Sequence, residues 1–197
     1  MANTPFHNAY LTRLQHAIDD LDRAALAHAV DVIRTAWQGG RQVIAFGNGG
    51  SGLAALHYIH DWNKAITHAT DIPFRGRTLN DNIGLLTAFA NDVSYDDVFC
   101  EQLKSILHPG DVVMGISGSG NSENVLRAVH YANANGGVTL GISGYSGGQL
   151  EQVAQHNVCT NIADMQMAED LQMVFGHLVM RELSGHLDIA DEAVSVV

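Results

Sequence analysis

Cations are scarce in this sequence. Lysine and arginine number 10 against 21 aspartates and glutamates, a formal net charge of −11 over 197 residues. That leaves too few phosphate-neutralising side chains for general nucleic-acid binding, and no nucleic-acid partner is expected. It also means that an anionic small molecule would be held mainly by backbone dipoles and hydroxyl groups. Long apolar runs are missing as well. No stretch approaches the roughly 20 apolar residues of a membrane span, so no membrane partner is expected. Met1 to His16 is polar and periodic, without the basic start and apolar centre of an export signal, which makes the expected location cytoplasmic. Cysteine occurs only at Cys100 and Cys159, far apart and in no metal or redox motif. Their apolar surroundings read as buried free thiols.

What is present fits one globular domain. Hydrophobic residues make up 46% of the chain, and the mean hydropathy is +0.02. Residues 5–38 read as helix, with Leu11, Leu14, Ile18 and Leu21 at three- and four-residue steps, then Leu26, Val30, Ile33 and Trp37. The five-residue step from Leu21 to Leu26 breaks the phase, so Asp19 to Asp22 divides two helices, with Asp22 as a cap for the second. Such a helical segment packs either on another subunit or on its own sheet.

From Gln42 the pattern alternates. Strands are expected at 42–46, 76–79, 112–116, 138–142 and 157–161, and helices at 51–66, 82–90, 94–107, 122–135, 147–155 and 166–186. Strands alternating with helices predict an α/β fold whose mostly parallel sheet is covered on both faces, a three-layer sandwich. Ligands of such sheets lie at the carboxyl ends of the strands. The expected organisation is a single domain over 1–197, with 1–38 as a helical oligomerisation segment and 42–188 as the α/β core.

Two glycine-rich turns fall at those carboxyl ends. Gly47-Asn48-Gly49-Gly50-Ser51 follows Val43 to Phe46, and Ser117-Gly118-Ser119-Gly120-Asn121-Ser122 follows Val112 to Ile116. Each leads into a helix, whose first N–H groups favour an anion. One such turn alone is as readily a tight connection; two in one small domain suggest a phosphorylated ligand. Neither has the glycine spacing of the dinucleotide fingerprint or the Gly-Lys-Ser/Thr of a P-loop. Ser117, Ser119 and Ser122 read as phosphate ligands, with Asn48 and Asn121 shaping the turns. Further on, His57 and Asp61 share a helix face at i and i+4, a spacing that serves a divalent metal, acid–base work or a plain surface contact. The last helix carries Glu169, Gln172 and His177, and Glu169 and His177 lie two turns apart on roughly one face.

These residues resemble the sugar isomerase (SIS) domain family, and within it the sedoheptulose 7-phosphate isomerases, or phosphoheptose isomerases. The resemblance runs over nearly the whole chain: the N-terminal helix, Gly47 to Ser51, Asn91-Asp92 followed by Val98-Phe99, Ser117 through Asn124, and the last helix. It implies a parallel five-stranded sheet and a homotetramer with active sites at subunit interfaces. It also implies interconversion of a 2-ketose phosphate and an aldose phosphate, often with zinc. His57 matches the family's metal-binding histidine. Asp61 stands where the family has a glutamate that is both ligand and base. Glu169 and His177 keep the spacing of the family's Gln and His, with Glu in place of Gln; an alternative register centres on Gln172 and would put Met180 at the histidine position. Asp81 corresponds to a substrate-contacting aspartate, and Gln166 replaces an acidic residue.

The resemblance thus implies a metal set of His57, Asp61, Glu169 and His177. The acid–base pair would be Asp61 and His177, with Glu169 in reserve. Phosphate and substrate would be bound by Asn48, Gly49, Gly50, Ser51, Asp81, Ser117, Gly118, Ser119, Asn121, Ser122 and Gln172. The expected reaction converts sedoheptulose 7-phosphate to D-glycero-D-manno-heptose 7-phosphate through an enediol. The alternatives are a non-catalytic SIS adaptor, a sugar-phosphate-sensing protein and an isomerase of another phosphosugar.

Overall fold

A computed structural model describes residues 5–185. Helices α1 (Pro5–Asp19) and α2 (Arg23–Gln38) come first. The break between them falls where the phase changes, and the Asp22 carboxylate accepts from the N–H groups of Ala24 and Ala25. Next come β1 (Val43–Gly47), α3 (Gly49–Asp61), a π-helical turn (Trp62–Ile66), α4 (Thr67–Thr70), β2 (Gly76–Thr78) and α5 (Ile83–Asp92). A 3₁₀ turn (Tyr95–Asp97) leads into α6 (Val98–Ile106), then β3 (Val112–Ser117), α7 (Glu123–Ala134), β4 (Val138–Ser143), α8 (Gly148–Val153), β5 (His156–Cys159) and α9 (Met165–Leu183).

The five strands are parallel, in the order β2-β1-β3-β4-β5. The sheet is built outward in both directions from β1, so its order reverses between β1 and β3. Side chains alternate across it. Val43, Ala45, Met114 and Ile116 pack with α2, α3 and α9, while Ile44, Phe46 and Val113 pack with α6, α7 and α8. The α/β sandwich expected from the sequence is the fold observed.

Three details depart from expectation. The helix expected over 51–66 begins at Gly49 and widens into the π-turn at Trp62. Trp62 and Ile66, at the two ends of this turn, are both fully buried. The stretch 94–107 opens as the 3₁₀ turn, where the Ser94 hydroxyl accepts from the Asp96 N–H, and becomes α-helical at Val98. The two cysteines are free but only half-buried, where buried thiols were expected. Positions 186–188 of the expected final helix and core lie outside the described residues. Among the described residues, no helix is long and apolar enough to cross a membrane.

Helices α3 and α9 run side by side in the same direction, and small residues let them approach. A Cβ on Gly176 would lie 2.3 Å from two ring carbons of Tyr58, which is itself fully buried. Gly176→Ala should therefore destabilise the fold by about 1–3 kcal/mol, read as a lower urea midpoint at constant slope. An unchanged midpoint would mean that the two helices are not in close contact.

At the far edge, His28 Nε2 of α2 and His156 Nδ1 of β5 are 2.9 Å apart. Burial and the neighbouring His28 lower the His156 pKa below its ordinary 6.5. Below that value the unfolded chain binds a proton that the native His156 resists. This contribution to stability is therefore complete at neutral pH and lost as pH falls. Unfolding free energies compared between about pH 7.5 and 5.5 should show a drop that His156→Asn reduces; an identical drop in the variant would remove His156 as its source.

Candidate functional site

Both glycine turns meet in one cleft above the β1–β3 reversal, where open parallel sheets receive their ligands. It measures about 290 Å³ and is lined by Asn48, Gly49, Gly50, Ser51, Ser117, Gly118, Ser119, Ser122, Met165 and Glu169. Among the described residues, no lysine or arginine lines it. The polar surface is turn backbone, hydroxyls, one amide and one carboxylate.

The turns are fixed by asparagines. Asn48 Nδ2 donates to Asn124 Oδ1 at 2.8 Å, and Asn124 Nδ2 donates back to Asn48 Oδ1 at 3.0 Å. The Tyr95 hydroxyl adds a third bond to Asn48 Oδ1. This reciprocal pair fastens the first turn to the second. Asn80 clamps the first turn from the other side: its Nδ2 donates to the Gly47 carbonyl at 2.8 Å, and the Gly47 N–H donates to its Oδ1 at 3.2 Å. In the second turn, Ser117 and Ser122 hydroxyls are 3.1 Å apart, and the Asn121 N–H donates to Ser119 Oγ. Asn121 Nδ2 donates to the Ser119 carbonyl, while its Oδ1 accepts from the Gln149 N–H at the start of α8. Gly120 has φ +68°, and a Cβ there would lie 1.9 Å from the Gly147 carbonyl oxygen, so only glycine fits.

Along α3 and α9, a second group of side chains converges. His57 Nε2 is 3.0 Å from His177 Nε2 and 3.1 Å from Asp61 Oδ2, and His177 Nε2 is 3.8 Å from the same oxygen. Two imidazole nitrogens and a carboxylate oxygen are borderline-hard donors suited to a divalent ion. Ligand bonds of about 2.0–2.1 Å at tetrahedral angles put donors about 3.3 Å apart, within the spread observed. The three side chains are partly open to solvent, which leaves a fourth position for a further ligand.

Glu169 is not part of that group. Eight residues along a helix is about 12 Å, and its carboxylate turns instead over the start of α3, where a Cβ on Gly50 would be 2.2 Å from Oε1. The four-residue metal set thus becomes three residues here. It is His177 that the fold brings to His57, whereas Gln172 is fully buried beside Ser51, whose hydroxyl donates to its Oε1 at 3.4 Å. Asp81 lies exposed between β2 and α5, and its neighbour Asn80 makes the contact with the first turn. Asn80, Tyr95, Asn124 and Met165 were not singled out from the sequence. Asn124 offered a signal as a polar residue in the first turn of α7, where a buried amide needs a partner.

The fold and cleft define a doubly wound α/β protein. Residues 7–144 match the SIS domain family, and the chain belongs to it. A probable phosphoheptose isomerase of Thermoplasma acidophilum is 34% identical over 170 residues, covering 86% of this chain and 93% of the relative. The structure of a Neisseria gonorrhoeae phosphoheptose isomerase superposes with a TM-score of 0.83 at 22% identity, covering 91% of this chain and 95% of that one. One from Francisella tularensis gives 0.81 at 21% identity, covering 94% of this chain and 100% of that one. At these identities the two structures speak for the fold alone.

Equilibrium dialysis of the purified protein against zinc should find uptake of up to about one ion per chain. His57→Ala should weaken it by at least about tenfold. Equal uptake by the variant would place the ion elsewhere.

Proposed function

We infer that the protein is an aldose–ketose isomerase of a sugar phosphate, with sedoheptulose 7-phosphate as substrate and D-glycero-D-manno-heptose 7-phosphate as product. The observation that carries this reading is the pairing of a cleft at the starts of α3 and α7, which has no lysine or arginine among its described lining residues, with the His57–Asp61–His177 group further along α3 and α9. From Gly50 to His57 the helix rises about 10 Å. That separation suits an extended sugar phosphate anchored at one end and reacting at the other. The relatives named phosphoheptose isomerases support the substrate class.

In this reading the phosphate lies on Ser119, Ser122 and the free N–H groups of the turn, where charge-assisted hydrogen bonds are strong. At the other end Asp61 takes a proton from C1 of the ketose, and His177 delivers one to the C2 oxygen, giving an enediol. A proton returned to C2, with loss of the C1 hydroxyl proton, yields the aldehyde. His57 holds Asp61 in position through its 3.1 Å contact. A divalent ion held by His57, Asp61 and His177, zinc in our reading, would supply polarisation of the substrate oxygens.

Assembly as a homotetramer, with sites at subunit interfaces, completes the reading. Phe6 and Leu11 of α1, Leu53 of α3 and Ile83 of α5 are 73%, 62%, 68% and 72% exposed. Leu53 stands one turn before His57 on the same helix face, so a second copy covering it would close over the reacting end.

The test incubates the zinc-loaded protein with a panel of ketose phosphates and follows aldose formation by NMR. Sedoheptulose 7-phosphate should turn over. His177→Ala should lower kcat by at least about 100-fold. Ser119→Ala with Ser122→Ala should raise KM, at about 1.5–3 kcal/mol per lost charge-assisted bond. No turnover of any sugar phosphate would overturn the enzyme reading and favour a sensing or adaptor role.

A further inference from the structure

The cleft has two positions suited to an anion, at the starts of α3 and α7, and one is already taken. The Glu169 carboxylate lies over Gly50 in the first turn of α3, so close that any side chain at position 50 would collide with it. There it meets the positive end of the helix. One turn further along α9, Gln172 is fully buried and its Nε2 donor has no partner, while its Oε1 is held by Ser51. The start of α7 has no such resident: Glu123, in its first turn, is exposed, and Arg127 of the same helix engages its carboxylate.

We propose that Glu169 is a specificity-determining residue. Its carboxylate fills the second anion position, so the cleft accepts one phosphate, at the Ser117–Ser122 turn, and rejects a diphosphate that would bridge both turns. The reversal point of a parallel sheet, with a glycine turn on each side, is otherwise the natural seat of a diphosphate. Among the described residues, no lysine or arginine lines the cleft to offset the repulsion between Glu169 and a second phosphoryl group. Selectivity is obtained by building repulsion against the wrong ligand. Toward the accepted ligand Glu169 presents an acceptor to hydroxyls, which suits a neutral polyol chain carrying a single phosphate. The inference rests on the phosphate-binding reading of the cleft.

The test titrates the full chain with inorganic phosphate and with pyrophosphate by calorimetry, comparing wild type with Glu169→Gln, Glu169→Ala and the Ser119→Ala/Ser122→Ala double variant. Circular dichroism confirms that each variant is folded. The wild type should prefer phosphate. Both Glu169 variants should gain about tenfold or more for pyrophosphate, with phosphate changing less than about threefold. The serine variant should lose phosphate binding. If it does, and the Glu169 variants leave the preference unchanged or shift both ligands equally, the inference falls while the cleft reading stands. If the serine variant binds phosphate like wild type, or the wild type binds none, the cleft reading falls and the inference with it.

Discussion

Two aromatic side chains fasten α3 to the main chain of α9, and the site depends on that attachment. The Tyr58 hydroxyl donates to the Gln172 carbonyl and Trp62 Nε1 donates to the Gly176 carbonyl. Both rings are fully buried and stacked at 5.2 Å. A buried hydroxyl or indole N–H without a partner costs about 1–3 kcal/mol, so the pairing is favoured in one axial register above its neighbours. That register sets Gly50 opposite Glu169 and His57 opposite His177. A slip of one helical turn, about 5.4 Å, would separate both pairs.

The two ends of the site use different physics. At the cleft, the groups that line the opening are mainly backbone and hydroxyls, and the asparagines behind them hold the turns in shape. The Asn48–Asn124 pair places two donors and two acceptors in mutual contact across the β1–β3 boundary, which makes the turns one rigid unit. At the His57–Asp61–His177 end, the groups are titratable, partly solvated and borne on helices rather than loops. In the reading proposed for the cleft, a chain of net charge −11 would hold an anion through the field of peptide dipoles, which needs no cationic residue.

Much of this was legible in the sequence. Alternating apolar runs and amphipathic stretches specify a parallel α/β sheet, the five-residue step before Leu26 specifies the break that Asp22 caps, and i,i+4 spacing places His57 beside Asp61. What was not legible depends on tertiary contact. Trp62 and Ile66 continue a helical apolar pattern, and nothing local marks the widened turn. Asn80 resembles any loop asparagine until β2 lies beside β1. Helical spacing puts Glu169 and His177 on similar faces, but it carries no information on axial reach, and the gap left by Gly50 decides where the carboxylate goes.

The widened turn after Asp61 has a bearing on how this sequence could have changed over time. A π-turn is one residue longer than the α-helical turn it replaces. Loss of a single residue between Trp62 and Ile66 would therefore restore regular helix beyond it while leaving Gly49 to Trp62, and their alignment with α9, in place. Indels are usually confined to surface loops. Here the fold has a point inside a helix where length can vary by one without disturbing what precedes it, so related chains can differ in length there and still superpose over the first turn and the His57–Asp61 pair.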